Sequence, residues 1–528
     1  MSRPSSRAPL DCGEVRAWCR SLRDDDCPAS DGSISKHRAL PALPASPNRR
    51  DIVAVFSSAV GAVLWGGASA CARTMPLTTV LRSSTFESFG DAVAHWSRSG
   101  GTLVVDADHV ENRPVTMLCV PGLAYRLTTD GPRTVAYSGP QYHWFFCIYS
   151  SGRNAFVIDG SLTLDGRDNC SMPFFARFEQ VADDRRDFSV DGLTACNARM
   201  KRGISAVDGS RTNAYGATAM YFLGGFDHLT LRRVRARHVT REAGAGLSGS
   251  RGCVGIGVTN LAGTRSARHI RIEEFEVAHV DSDDRPGAPE RTDMDGVLVF
   301  QSAERSGTRP VIQTGTIREA AGRAIKVFAP GGGGTTRDIT IYRSVHGSTQ
   351  GSNDVAHQHG DGTIEDITLH YSGEAHASPT TPVGMSAGHM RDPEFPFRPG
   401  VVRNLTIHDV TGRSKAAIVT LFSNLHDSEP RAYRLANIQD SGSAAHLLMP
   451  GGLGTFSDAV IEIDRIAVNL TVGLMATEDP NPHLRVFVRH LVNRNRRAVP
   501  FNVDYNGRAA PRLGGSLIAD DTVRGVTR

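Results

Sequence analysis

Asp338-Ile339-Thr340-Ile341, Asp366-Ile367-Thr368-Leu369 and Asn404-Leu405-Thr406-Ile407 are three versions of one short phrase. Earlier versions read His228-Leu229-Thr230-Leu231 and His269-Ile270-Arg271-Ile272. Looser ones follow at Ala432-Tyr433-Arg434-Leu435, Ala459-Val460-Ile461-Glu462-Ile463 and His483-Leu484-Arg485-Val486. Between first apolar residues, Ile339 to Ile367 and Leu405 to Tyr433 are steps of 28, Tyr433 to Val460 is 27 and Val460 to Leu484 is 24. The step of 41 from Leu229 to Ile270 is one such unit enlarged by a loop. A unit this short cannot bury its apolar side alone, so neighbouring units must stack.

Within each phrase apolar and polar residues alternate, which is the period of a strand and not of a helix. Most units hold a second apolar run, as in Gly296-Val297-Leu298-Val299-Phe300, Ala324-Ile325-Lys326-Val327-Phe328 and Ala417-Ile418-Val419-Thr420-Leu421-Phe422, with turn residues between the runs. A leucine-rich repeat would need a fixed Leu and Asn ladder, and a propeller blade would need a longer period. The pattern predicts an all-β, single-domain, right-handed parallel β-helix, a solenoid over about residues 136–505. It also predicts one inward column of Leu229, Ile270, Ile339, Ile367, Leu405 and Val460.

The composition fits one elongated domain: 528 residues, 40% hydrophobic but only 7% aromatic, with 54 glycines for turns. Asn48-Arg49-Arg50-Asp51-Ile52-Val53, an apolar stretch from Ala54 to Trp65 and small residues Ala68 to Ala72 read as an export signal over 49–72. The apolar stretch is too short to span a bilayer. The paired arginines match the twin-arginine type, with Ile52-Val53 at the usual Phe-Leu position. Cleavage is expected after Ala70 or Ala72, or before Cys71 with a lipid anchor, giving an extracytoplasmic protein. Residues 1–48 carry no periodicity and are open to two readings, an upstream start or a cytoplasmic extension.

Beyond residue 72 the charges nearly balance, 50 Lys and Arg against 48 Asp and Glu, so no nucleic-acid or membrane-surface partner is expected. Cys119, Cys147, Cys170 and Cys196 are spaced by 28, 23 and 26, about one coil each. That spacing is compatible with cross-coil disulfides and equally with an inert buried ladder. Residues 73–135 read as a cap with the first strands, and 506–528 as a tail. In the cap, Ser84-Thr85-Phe86-Glu87 has the form of a capping box. It precedes a helix with Phe86, Phe89, Val93 and Trp96 on one face, ended by Gly100-Gly101.

A helix closed by Gly-Gly, a strand, the stretch Phe156-Val157-Ile158-Asp159-Gly160-Ser161-Leu162-Thr163-Leu164-Asp165-Gly166 and then Asx-Ile-Thr-Ile coils together resemble the pectate-lyase-like superfamily of secreted β-helix proteins, over roughly residues 80–505. That superfamily includes polysaccharide lyases, polygalacturonase-like hydrolases, uronate epimerases and phage tailspikes. The resemblance implies a carbohydrate-active protein and leaves the reaction open.

Three consecutive clusters are candidates for that chemistry. Asp281, Asp283, Asp284, Glu290, Asp293 and Asp295 offer the oxygen ligands that Ca2+ takes, or a general acid and base for glycoside cleavage; equally, Asp281 to Asp284 have the character of a solvated loop. Thr292-Asp293-Met294-Asp295-Gly296 is similar to the Asn-Thr-Asp of the hydrolases, with Arg291 in the Asn position. Arg323 lies 28 residues beyond Asp295, and Lys326 beside it is one of three lysines after residue 72, with Lys201 and Lys415. A lysine in so Arg-rich a chain fits a base that must lose its proton, or a plain ion pair with Asp295. Asn353-Asp354-Val355-Ala356-His357-Gln358-His359-Gly360-Asp361 is the third cluster. Asp354, His357, His359 and Asp361 in it are candidates for catalysis, sugar binding or metal ligation, against the plainer reading of a polar turn. Arg391, within the Pro-rich insert from Ser378 to Pro399, is a candidate wall of a substrate groove.

The leading expectation is a polysaccharide lyase: Lys326 abstracts a proton, Arg323 or a His assists the leaving oxygen, and the acidic loop with Ca2+ neutralises a uronate. Paired-aspartate hydrolysis by Asp293, Asp295 and Asp354 is the first alternative. A non-catalytic polysaccharide-binding solenoid is the second. Oligomeric state is left open.

Overall fold

The computed structural model describes residues 79–178, 187–202, 216–245, 252–259, 269–284, 294–301, 309–329, 334–343, 353–358, 362–372, 381–387, 400–423, 431–451, 459–477, 484–504 and 517–527. Short strands joined by turns stack in parallel register into a 20-stranded and a 13-stranded sheet, with a two-stranded sheet at the C-terminal end. The chain is a parallel β-helix. Its apolar interior lies between the two large sheets.

The recurring phrase builds the 20-stranded sheet. Ile339, Ile367, Leu405, Ile438, Ile466 and Leu491 stack in register as one inward column. All are buried, and each such side chain contributes about 1.5–3 kcal/mol when removed from water. The single column expected from the phrase divides into two. Leu229 pairs with Ile270, but Ile339 stacks on Gly315, which stacks on Phe275, five residues beyond Ile270. Val460 lies outside both columns, in register with Ala432 and Arg485, while Ile461 and Ile463 turn inward beside it. Loops of unequal length between coils shift the phrase along the strand, so similar words occupy different register positions.

One register position of the 20-stranded sheet, filled in three phrases by the polar first residue Asp338, Asp366 or Asn404, has its own task. Arg233, Glu274, Thr314, Asp338, Asp366, Asn404, Asn437, Arg465 and His490 all have φ between 48° and 56°, the left-handed region. Each bends its strand at the same corner. Asn and Asp tolerate this conformation best among residues with a side chain. They also tie coils together: Asn404 Nδ2 donates to Asp366 Oδ1 at 2.7 Å, and Asn437 Nδ2 donates to Asn404 Oδ1 at 2.9 Å.

Helix α1 (Phe89–Ser99) covers the N-terminal coil with Phe89, Ala92, Val93 and Trp96 buried. Its cap is Ser88, which accepts from the Asp91 amide, and not Ser84 as expected. Ser84 is taken by Asp106, and Glu111 from the sheet accepts the Phe89 amide at 2.7 Å, so the helix starts later. Cys119, Cys147, Cys170, Cys196 and Cys253 are all free thiols. Register explains why: Cys147 stacks on Phe175 and Cys170 on Tyr142. Burial pushes the Cys147 and Cys253 thiols up to about 12, so they stay protonated. Within the segment read as a tail, Leu517–Ala519 pairs with Val486, Phe487 and Val488. Among the described residues no helix is long and apolar enough to cross a membrane, and residues 1–78, with the expected signal, lie outside them.

The corner residue yields a direct test. Asn404→Val should lower stability by about 1–2 kcal/mol through left-handed strain, read as a lower urea midpoint, whereas Asn404→Gly should cost clearly less. Equal losses would show that the corner conformation is not what selects Asn.

Candidate functional site

A second corner, on the 13-stranded sheet, fixes which side chains face outward. At this corner two consecutive residues point inward, as in Phe145–Phe146, Gly296–Val297 and Ala324–Ile325. At Gly296 an added Cβ would stand 3.0 Å from the inward Ile317 side chain. The residue before each inward pair, and the residue after it, therefore face out. Asp295 and Leu298 flank one pair, and Arg323 and Lys326 flank the next. Val297 pairs with Ile325 and Leu298 with Lys326, so Asp295 and Arg323 belong to adjacent positions of one outer column.

Arg323 Nη1 lies 3.9 Å from Asp295 Oδ1, both side chains being almost wholly buried. Beyond Arg323 in the same column stands Asn353, whose Nδ2 donates to Thr420 Oγ1 at 2.9 Å and to the Thr381 carbonyl at 3.3 Å. Lys326 is half-buried between Leu298 and Ala356, its neighbours in register. Alongside, Phe300 and Phe328 stack with ring centroids 4.3 Å apart. The outer face thus carries a shielded acid–guanidinium pair, a partly accessible amine and an aromatic wall within two coils.

Asp354 and His357 face the interior instead. Asp354 occupies the inward position next to Val355, where Tyr371 donates its hydroxyl to Oδ2 and Arg343 pairs with Oδ1. Arg343 also donates to the Ala320 and Gly322 carbonyls. Burial pushes the Asp354 carboxyl up, against the pull of Arg343. His357 stacks in register with Val327 and Met385, and its ring contacts Thr336 Oγ1 at 2.9 Å from Nε2. Burial lowers its pKa to about 3, so the ring is neutral at physiological pH. Neither residue can reach a polymer on the outer surface. The expectation failed because this coil is longer than assumed: Lys326 pairs with Ala356, 30 residues on, not with Asp354 at 28.

Asp281, Asp283 and Asp284 of the acidic loop are each held by donors of the protein itself. Asp283 accepts from Arg199 Nη2 at 2.6 Å. Asp284 is paired with buried Arg241 and also accepts from the Gly244 amide at 3.1 Å and the Ser282 hydroxyl at 3.0 Å. Asp281 accepts from the Ser282 amide at 2.7 Å. Hard cations need several free carboxylate oxygens converging on one point. Among the described residues no three His, Cys, Asp or Glu side chains do so. Glu290, Asp293, His359, Asp361 and Arg391 lie outside the described residues.

A charged network inside the solenoid escaped the sequence reading. Arg343, Tyr371 and Asp409 stack in register at the end of three successive strands. Lys415 is buried between Asp409 and Asp440, with its Nζ 3.2 Å from Asp440 Oδ2 and 5.7 Å from the centre of the Tyr371 ring. Burial alone would raise Asp409, but the hydrogen bonds from Lys415 and Thr411 hold its carboxyl below the ordinary value. For Asp440 burial dominates and the carboxyl is raised. The scarcity of lysine was the available signal, yet it marks a structural cation in Lys415 and an outward amine in Lys326.

No family model matches the chain, and no curated protein matches it. Among solved structures it is similar to the catalytic unit of a thermostable GH87 α-1,3-glucanase from Streptomyces thermodiastaticus strain HF3-3. The identity is 11% and the TM-score 0.40, over 87% of this chain and 70% of that one. A GH87 α-1,3-glucanase catalytic domain in complex with nigerose is similar at 11% identity and TM-score 0.42, over 86% and 70%. The Agl-KA catalytic domain is similar at 13% identity and TM-score 0.34, over 86% and 70%. The likeness is confined to the fold.

The internal network should be sensitive to loss of its cation. Lys415→Met leaves two buried carboxylates uncompensated and should cost about 3–5 kcal/mol near neutral pH. A carboxyl held low in the folded state stabilises above its unfolded pKa of about 3.9, and that stability fades as pH falls through the lowered folded value. In the variant Asp409 loses the Lys415 hydrogen bond that holds it low, and burial, which already raises Asp440, acts on both carboxyls, so its deficit should shrink on acidification. Denaturant midpoints at neutral and acid pH measure this; a deficit that is constant with pH would contradict the pairing.

Proposed function

We propose that the chain is a carbohydrate-active enzyme that cleaves a polysaccharide on the outer face of the 13-stranded sheet, by β-elimination at a uronic acid unit. The observation that carries the reading is the position of Lys326. Of the three lysines after residue 72, Lys415 is locked between two carboxylates, Lys201 donates to Asn169 Oδ1, and Lys326 stands half-buried on the outer face across the corner from Arg323.

In this reading Lys326 Nζ takes the C5 proton of the uronate. The electron pair forms the C4–C5 double bond as the C4–O bond breaks, and the leaving oxygen takes a proton. The Asp295–Arg323 pair positions charge beside the reacting unit, while Phe300 and Phe328 border the sugar. Asp283 and Asp284 of the acidic loop pair with Arg199 and Arg241, so in this reading Lys326 and the Asp295–Arg323 pair carry the step.

Hydrolysis is the second reading, favoured by Asp295, a carboxylate on the same outer face whose immediate neighbour in sequence is the corner Gly296. A panel of uronic-acid and neutral polysaccharides separates the two. Unsaturated products absorbing in the ultraviolet support elimination, and new reducing ends without that absorbance support hydrolysis. Lys326→Ala should abolish activity by at least about 100-fold, the scale of a lost general base, with a melting temperature within a few degrees of the parent. Full activity in that variant would refute the elimination mechanism, and binding without any cleavage would refute the enzyme.

A further inference from the structure

The chain holds four tryptophans. Of the two among the described residues, Trp96 is buried under the cap, whereas Trp144 stands on the outside of the strand Tyr142–Ser150. Its ring is fixed: Nε1 donates to Thr116 Oγ1 at 3.2 Å, and Phe175 lies against it at 6.0 Å, itself stacked on Tyr221 at 5.7 Å. Tyr142, 37% exposed, meets Trp144 edge to face at 5.2 Å. At the far end of the same strand Tyr149 carries the Arg177 guanidinium 5.8 Å from its ring centre. Single exposed apolar residues are ordinary, but a held pair of aromatic rings on one face of a chain with so few aromatics is not. Such a surface matches the C–H face of a pyranose ring, with nearby polar groups for its hydroxyls.

Register connects this patch to the candidate site. Trp144 pairs with Met172, and the same register carries the column through Thr218 and Val254 to Asp295. Four steps of about 4.8 Å put Trp144 about 19 Å from Asp295 along the solenoid axis. Met172, Thr218, Val254 and Asp295 itself are buried, so at the far end contact with a bound chain would fall to the half-buried Lys326 and Phe300 beside this column.

We propose that Trp144 and Tyr142 form a distal subsite that holds a sugar ring of the same polysaccharide, fixing the polymer parallel to the solenoid axis. This rests on the reading of the outer face as a carbohydrate site. Its consequence is length selection: only chains that span about 19 Å engage both ends.

The test compares the full chain and Trp144→Ala on polygalacturonate, alginate and α- and β-glucans, and on dimer to hexamer fragments of whichever is bound. Trp144→Ala should raise KM for the polymer about tenfold, in the range of a lost aromatic anchor, with kcat and the constants for the shortest fragments unchanged. Trp144→Phe should recover most of the loss. The polymer should also quench tryptophan fluorescence in the parent and not in Trp144→Ala, a readout that survives if no cleavage occurs. Tyr142→Ala, at an exposed position, replaces Trp144→Ala if the latter fails to fold. An unchanged KM and quench, or equal losses on short and long substrates, would overturn the subsite alone. A parent chain that neither binds nor cleaves any glycan would overturn both the subsite and the reading on which it rests.

Discussion

Parallel pairing in register is the constraint on which the rest of this molecule depends. Each coil's strands leave a row of backbone donors and acceptors that only the next coil can satisfy. A side chain's fate is therefore decided by its register position and not by its own chemistry. Ile339, Ile367, Leu405, Ile438, Ile466 and Leu491 share the interior because pairing aligns them. The left-handed residues at the corner are needed for the same reason, since every coil must bend at the same place for pairing to continue.

The same constraint divides the polar residues into two populations. At the second corner two adjacent residues point inward, which sends Asp295, Arg323 and Lys326 outside and Asp354 inside. Buried charges persist only when paired, and the interior set obeys this: Arg343 with Asp354, and Lys415 with Asp409 and Asp440. The outer set is smaller: Asp295 and Arg323 are buried as a pair, and Lys326 is its more exposed member, with the stacked Phe300 and Phe328 rings alongside.

How much was legible in the sequence follows from this division. The phrase Asp366-Ile367-Thr368-Leu369 and its relatives reveal strand period and coil length directly, because alternation and recurrence are local properties. Asp295 and Arg323 were correctly aligned, since their coil is 28 residues long. Asp354 was misplaced because its coil has 30, and a two-residue error in register, combined with an inward corner position, moves a side chain from surface to core. The helix cap was misassigned because its decisive partners, Asp106 and Glu111, lie a strand away. Trp144 drew no notice because its relation to Asp295 spans four coils and appears only once the strands are paired.

The account stands on a polysaccharide lying across Lys326. Amine acetylation followed by mass spectrometry tests this most directly, because only Lys201, Lys326 and Lys415 follow residue 72. In the free protein Lys326 should label while buried Lys415 does not. With the bound polymer present, Lys326 should become protected and Lys201 should label as before. Labelling of Lys326 that is unchanged at saturating polymer would contradict the placement of the site on the outer face of the 13-stranded sheet.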